Sequence, residues 1–280
     1  MCSKKNMVAL TVLTLVAVLF ANESYKLVYR IDKGTTLRYR MTSSMEQTVE
    51  VMGTEQNNES RSTSVVTLIG EAPDEQGNLR FIWRADSVVI NVKNVMMDST
   101  IRNPEWFVGR RVRHVITPYG DQLSVEELDT VEVKDPMFAQ MARMKSEFLP
   151  NLPTKELKVG DQATVTDVDT TEMMGGSMVT NTEVTYTLAG KETVQGYDCL
   201  KLTYTGTTEL EGEGSYQGMM KFFMEGEMEM QGVLYFAPKE GVLVSNEAEI
   251  DSEMTAAFSG QQNMTMPISQ VTTTKMVLLP

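Results

Sequence analysis

The sequence predicts a mainly β fold: a strongly curved antiparallel sheet or open barrel with one central amphipathic helix. Long segments alternate apolar and polar residues with a period of two, the pattern of half-buried strands. Gly, Pro, Asp and Asn gather between those segments, where tight turns use them. Only one stretch of the 280 residues repeats with the period of a helix. Each strand has an apolar face to bury, by pairing as a sandwich or by curling into a barrel, and because one short helix is too small to cover such a sheet the curled form is expected.

At the N-terminus, Lys4 and Lys5 precede an uncharged apolar run over residues 7–20, and polar Asn22-Glu23-Ser24 follows. This is the layout of a secretory signal peptide, expected to occupy residues 1–21. The run is shorter than the roughly 20 apolar residues a permanent membrane span needs. Residues 25–31 then alternate loosely up to the turn Asp32-Lys33-Gly34. In the next strand Leu37, Tyr39, Met41, Met45, Val49 and Val51 share a face opposite Arg38, Arg40, Thr42, Ser44, Glu46, Thr48 and Glu50. At about 3.3 Å per residue, that strand runs roughly 50 Å unless it bends. Residues 53–61 read as a polar loop, residues 64–69 and 79–92 as strands around a turn, and residues 106–116 as a further strand ending at Thr117-Pro118-Tyr119-Gly120-Asp121.

The helix is expected over residues 135–149. Asp135 suits the N-cap and Pro136 the first helical position, while Met137, Met141, Met144 and Phe148 form one stripe. Pro150 and Pro153 stop it. Gly160-Asp161 opens a second series of strands: residues 184–188 and 199–210 around a turn at 190–196, then 232–236 up to Pro238-Lys239-Glu240-Gly241. Gly34, Gly77 and Gly120 match Gly160, Gly196 and Gly241 at offsets of 126, 119 and 121 residues, a spacing that suggests an internal duplication. The expected organisation is a first β unit over 22–134, a connector over 135–153 and a second β unit over 154–280, all in one compact domain. Val242, Val244, Ala248, Ile250, Met254, Ala256 and Phe258 form a late apolar face backed by an acidic one, and residues 270–279 form the last strand.

Hydrophobic residues at 41% and charged residues at 22% fit a globular chain. Loss of Lys4 and Lys5 with the signal segment takes the formal charge from −13 to −15. So acidic a surface argues against nucleic acid and against anionic membranes as partners. Beyond residue 21 the one cysteine is Cys199, so no intrachain disulfide is expected to brace the exported chain.

No catalytic constellation stands out. His114, the only histidine, lies in a strand with no nucleophile motif nearby. Asp167, Asp169 and Glu172 lack the spacing of a calcium loop. Met220, Met224, Met228 and Met230 belong to a methionine-rich second half; flexible thioethers line promiscuous apolar pockets, and without Cys or His beside them a copper site is not supported. Arg110, Arg111 and Arg113 form one basic cluster, suited to forked contacts with an anionic head group or to pairing with nearby acids.

The run Phe148-Leu149-Pro150-Asn151-Leu152-Pro153, Val159-Gly160-Asp161, Gln195-Gly196-Tyr197 and Gly232-Val233-Leu234-Tyr235-Phe236 through Gly241 resembles an uncharacterised family of exported bacterial proteins. It departs from that family in having Gln162-Ala163 where an aromatic usually follows the Gly-Asp turn. At fold level the expected curved sheet is similar to the periplasmic lipoprotein carriers, and this implies a concave face able to hold acyl chains. The expectation is therefore an exported protein of the periplasm or cell envelope that binds an apolar, lipid-like ligand. It would have no catalysis, no cofactor, no metal and no transmembrane segment once the signal is removed. Met137, Met141, Met144, Phe148, Met220, Met224, Met228 and Met230 would line the site and Arg110, Arg111 and Arg113 would meet an anionic head group. The alternative is a structural or protein-binding envelope protein with a filled core.

Overall fold

The computed structural model describes residues 23–95, 97–129, 148–173, 175–216, 220–260 and 263–280, with the side chains of Met173 and Tyr216 left aside. The signal segment and the helical stripe of Met137, Met141 and Met144 lie outside these residues. Twelve strands among the described residues form one antiparallel sheet. They are β1 (Thr36–Val51), β2 (Thr54–Gly70), β3 (Leu79–Lys93), β4 (Asp98–Arg102), β5 (Arg111–Ile116), β6 (Gln122–Glu127), β7 (Gln162–Met173), β8 (Gly176–Val194), β9 (Tyr197–Tyr216), β10 (Met220–Ala237), β11 (Val242–Ser259) and β12 (Met264–Leu279). The order is β6-β5-β3-β2-β1-β12-β11-β10-β9-β8-β7, with β4 beside the far part of β3. Each half of the chain is a meander, and β1 and β12 join the halves over a register running from Arg38–Leu279 to Val49–Ile268. Among the described residues β6 and β7 are left as edges and the sheet is not closed.

The period of two in residues 37–51 is realised as β1. Its hairpin with β2 turns on Met52 and Gly53, both at positive φ (53° and 77°), the conformation that matches the twist of two-residue hairpins. Gln195 and Gly196 (52° and 87°) do the same between β8 and β9. Pro267 sits in β12 just past the last β1 partner, Ile268, where its missing N–H breaks no ladder bond to β1.

Several sequence expectations need correction. Residues 54–61 are the first half of β2, not a loop; they carry no apolar signal because they are held by full register with β1. Residues 106–110 are a turn folded on Pro104, whose carbonyl accepts from the Phe107 and Val108 amides, and the strand begins at Arg111. Gly190 is paired with Lys201 inside β8, next to a bulge at Ala189, rather than starting a turn. Residues 25–31 alternate as read, with Leu27, Tyr29 and Ile31 buried, yet join the sheet by no ladder; their one bridge is Tyr25 with Leu157. The expected central helix reaches the described residues only at Phe148 and Leu149, which are not helical.

Those two non-strand segments, residues 25–31 and 148–157, are straps across one end of the sheet. The Tyr29 amide donates to Pro118 O (2.8 Å), Arg30 to Gly241 O (2.9 Å) and Leu152 to Tyr119 O (2.7 Å). Gly120 and Gly241 allow this approach: both hold positive φ, and a Cβ would lie 2.7 Å from Pro150 O at the first and 2.6 Å from Arg30 Cγ at the second. Beneath the straps Leu68, Leu188, Leu202, Leu234, Phe236 and Leu243 are fully buried. Tyr39 stacks edge-on against Phe148 (5.7 Å) and donates to Leu243 O (3.0 Å).

Candidate ligand cavity

Beyond the straps the two arms of the sheet face each other across a cavity of about 500 Å3. Phe148, Leu149, Pro150 and Asn151 form its floor. Residues of β1 and β2 line it opposite residues of β7 and β8, strands separated by four others in the sheet, which is the direct sign of the curl. A cavity of this volume lies within the usual range for small-molecule sites.

Strand register sorts the inner face into rungs. The first above the floor runs Tyr186, Tyr204, Gly232, Ala248, Thr274 and Ser43. The next runs Val165, Val184, Gly206, Met230, Ile250 and Thr272. Glycines here are roofed by large neighbours: a Cβ on Gly232 would collide with the Tyr204 ring, and one on Gly206 would lie 3.2 Å from Met230 Cγ. Trading bulk between adjacent strands in this way lets the inner face, the shorter one, curl without losing apolar cover. The Tyr204 hydroxyl donates to Asn246 Oδ1 (3.0 Å), and burial pushes its pKa up.

The next rung is polar. Thr182 and Thr208 share a hydrogen bond at 3.0 Å, Gln47 donates to Gln270 (3.0 Å), and Asn58 donates to Gln47 (3.0 Å). Asp167 belongs to this rung and lines the cavity with Thr182 and Thr208. Its pKa is raised, first by burial and then by the charges of Asp169 and Asp121. Ser252 continues the rung, buried, with no partner for its hydroxyl among the described residues.

The expected site residues scatter. Phe148 and Met230 line the cavity. Met228 and Met224 share its face at higher rungs, and Met220 is 38% exposed at the strand end. The arginines are not a free cluster: Arg110 pairs with Glu127 (2.5 Å), Arg111 with Asp129 (2.7 Å), and Arg113 with Glu71 (2.8 Å) and Glu126 (2.6 Å). Strand alternation places Arg111 and Arg113 on the face opposite Val112 and His114, away from the cavity. Missed were Ser43, Ser62, Ser64, Tyr186, Tyr204 and Asp167. The period of two assigns each to a face, but only the register brings them together.

His114 is buried and stacked on Phe81 (5.2 Å between ring centres), and burial lowers its pKa. Cys199 is buried with its thiol pKa pushed up. Asp167 and Asp169 share a strand face while Glu172 falls on the other, so the three do not converge. A wider depression of about 840 Å3 crosses the outer face, walled by polar side chains such as Arg61, Gln231, Glu249 and Lys275.

Among the described residues no helix is long and apolar enough to cross a membrane. No family model matches the chain, and no curated protein does. Among solved structures, Pseudomonas aeruginosa OccK5 (OpdH) aligns at a TM-score of 0.29 and 6% identity over 88% of this chain and 98% of that one. Pseudomonas aeruginosa OpdQ aligns at 0.29 and 8% over 88% and 99%, and Pseudomonas aeruginosa OccK11 (OpdR) at 0.26 and 7% over 91% and 100%. Likeness at that level is too slight to argue from, and the functional reading rests on the cavity.

Proposed function

We propose that this chain is an exported envelope protein that binds an apolar, lipid-like ligand between the arms of its curved sheet and performs no chemistry on it. The observation that carries the reading is the cavity of about 500 Å3, walled by Met41, Val184, Tyr186, Met230 and Met276 and floored by Phe148. The outer face supports a water-exposed exterior. Glu209, Glu227 and Glu253 lie directly opposite one another on β9, β10 and β11, as do Glu229 and Asp251, and like charges so close need water between them. The turn glycines of the two series, Gly34, Gly77 and Gly120 and then Gly160, Gly196 and Gly241, all hold positive φ, which supports reading the halves as a duplicated unit.

A second reading, a protein-binding envelope component, draws on β7, a twelve-residue edge paired only with β8 among the described residues. Uptake of an apolar fluorescent probe by the purified chain separates the two. The proposal expects saturable uptake that Ser43→Trp abolishes by filling the cavity. Absence of uptake by the wild type rules it out and leaves the edge-binding reading.

A further inference from the structure

The cavity's lining mixes apolar and polar side chains, with Met41 among the hydroxyls of β1 and β2 and with Asp167, Thr182 and Thr208 on the arm of β7, β8 and β9. On the side of β7, β8, β10 and β11, Val165, Val184, Met230 and Ile250 are aliphatic. On the side of β1 and β2 the lining residues include Ser43, Ser62 and Ser64, half-buried hydroxyls that can donate or accept. At the level of the polar rung, Asp167 stands beside Thr182 and Thr208. Resting on the apolar-ligand reading above, we infer that the cavity selects amphiphiles whose polar end is neutral or cationic and donates hydrogen bonds, and discriminates against carboxylates and phosphates, with Asp167 setting that preference.

Charge placement carries the inference. Asp167 and Lys275 are the charged residues among the described lining. Lys275 is on the opposite strand face from Thr274 and Met276, where its ammonium pairs with Glu247. Arg110, Arg111 and Arg113 are held by Glu127, Asp129, Glu71 and Glu126, so none of the three is left to meet an anion. Among the described lining residues, an entering carboxylate or phosphate therefore meets Asp167 with no cation to offset it, in surroundings where charges interact more strongly than in water. A hydroxyl or an ammonium meets an acceptor. The raised pKa of Asp167, caused by burial and by Asp169 and Asp121, is consistent with a wall already short of positive charge.

The experiment displaces a bound apolar fluorescent probe from the full exported chain with monolaurin, dodecylamine and laurate, ligands of equal acyl or alkyl length, near neutral pH. Monolaurin and dodecylamine are expected to displace it, and laurate to be at least about tenfold weaker. In Asp167→Asn, dodecylamine loses most of its advantage and laurate gains, while monolaurin stays within about threefold. Thermal melting verifies that this near-isosteric variant is folded. Laurate binding as tightly as the other two overturns the selectivity while leaving the apolar-ligand reading intact. An unchanged order of the three ligands in Asp167→Asn overturns the role of Asp167. A wild-type chain that takes up no probe overturns the cavity reading and this inference with it.

Discussion

At the floor end, Leu202, Leu234, Leu243 and Leu278 are buried beneath the straps that carry Tyr29 and Phe148. A few residues further along the same strands, Gly206, Met230, Ile250 and Thr272 are only half-buried around a hollow. Strand pattern does not distinguish the two regions, since inward apolar residues continue from one into the other. What differs is cover. The floor is sealed by the two non-strand segments, residues 25–31 and 148–157, whereas the half-buried rungs border the cavity. The fold's stability thus concentrates at one end, leaving the other free to carry a site under weaker packing constraint.

This contrast sets the expected order of mutational effects. Leu234→Ala, at a fully buried floor position, should cost about 3 kcal/mol in urea denaturation; a loss under about 1 kcal/mol would mean the floor is not the stabilising end. Gly232→Val should cost about 2 kcal/mol, because the new side chain meets the Tyr204 ring and the Glu247 carbonyl, and it should also impair probe uptake. Tyr39→Phe removes a buried bond to Leu243 O and should cost about 1 kcal/mol with uptake unchanged. Met230→Ala, half-buried on the cavity wall, should shift stability by less than about 1 kcal/mol yet weaken uptake several-fold.

A pH series adds a smaller test at the floor-side arm. His114 is the chain's one histidine, and burial holds its pKa below the ordinary 6.5. The unfolded chain then binds the proton first as pH falls, so stability should drop from 6.5 downward toward the lower folded value and be fully present above 6.5. His114→Gln should remove that part of the slope. If wild type and variant trace parallel curves between neutral pH and the carboxylate range, the histidine is not buried in the neutral form as described.

The sequence made the strands with one apolar face legible. Residues 37–51 and 242–258 could be assigned from alternation alone, and they are β1 and β11. The alternation of residues 25–31 was also real, but burial of Leu27, Tyr29 and Ile31 comes from strap packing, which has the same period as a strand without its ladder. Residues 54–61 were illegible because a polar segment becomes a strand only through its partner, here β1. The site divides in the same way. Phe148 and Met230 were readable as apolar lining, whereas Ser43 and Asp167 acquire their place only when β1 and β7 are brought face to face by the curl. Of the two readings of the arginine cluster, an anionic head group or pairing with nearby acids, the structure shows the pairing, and only the fold names the acids, Glu71, Glu126, Glu127 and Asp129, because they come from other segments.

The central claim is that the hollow between the arms holds a ligand, and native mass spectrometry of the chain purified without detergent from the cells that make it tests it most directly. The account predicts one apolar molecule retained per chain, released by organic extraction and missing from Ser43→Trp. A bare polypeptide mass for the wild type, together with no uptake of an apolar probe after extraction, would contradict it.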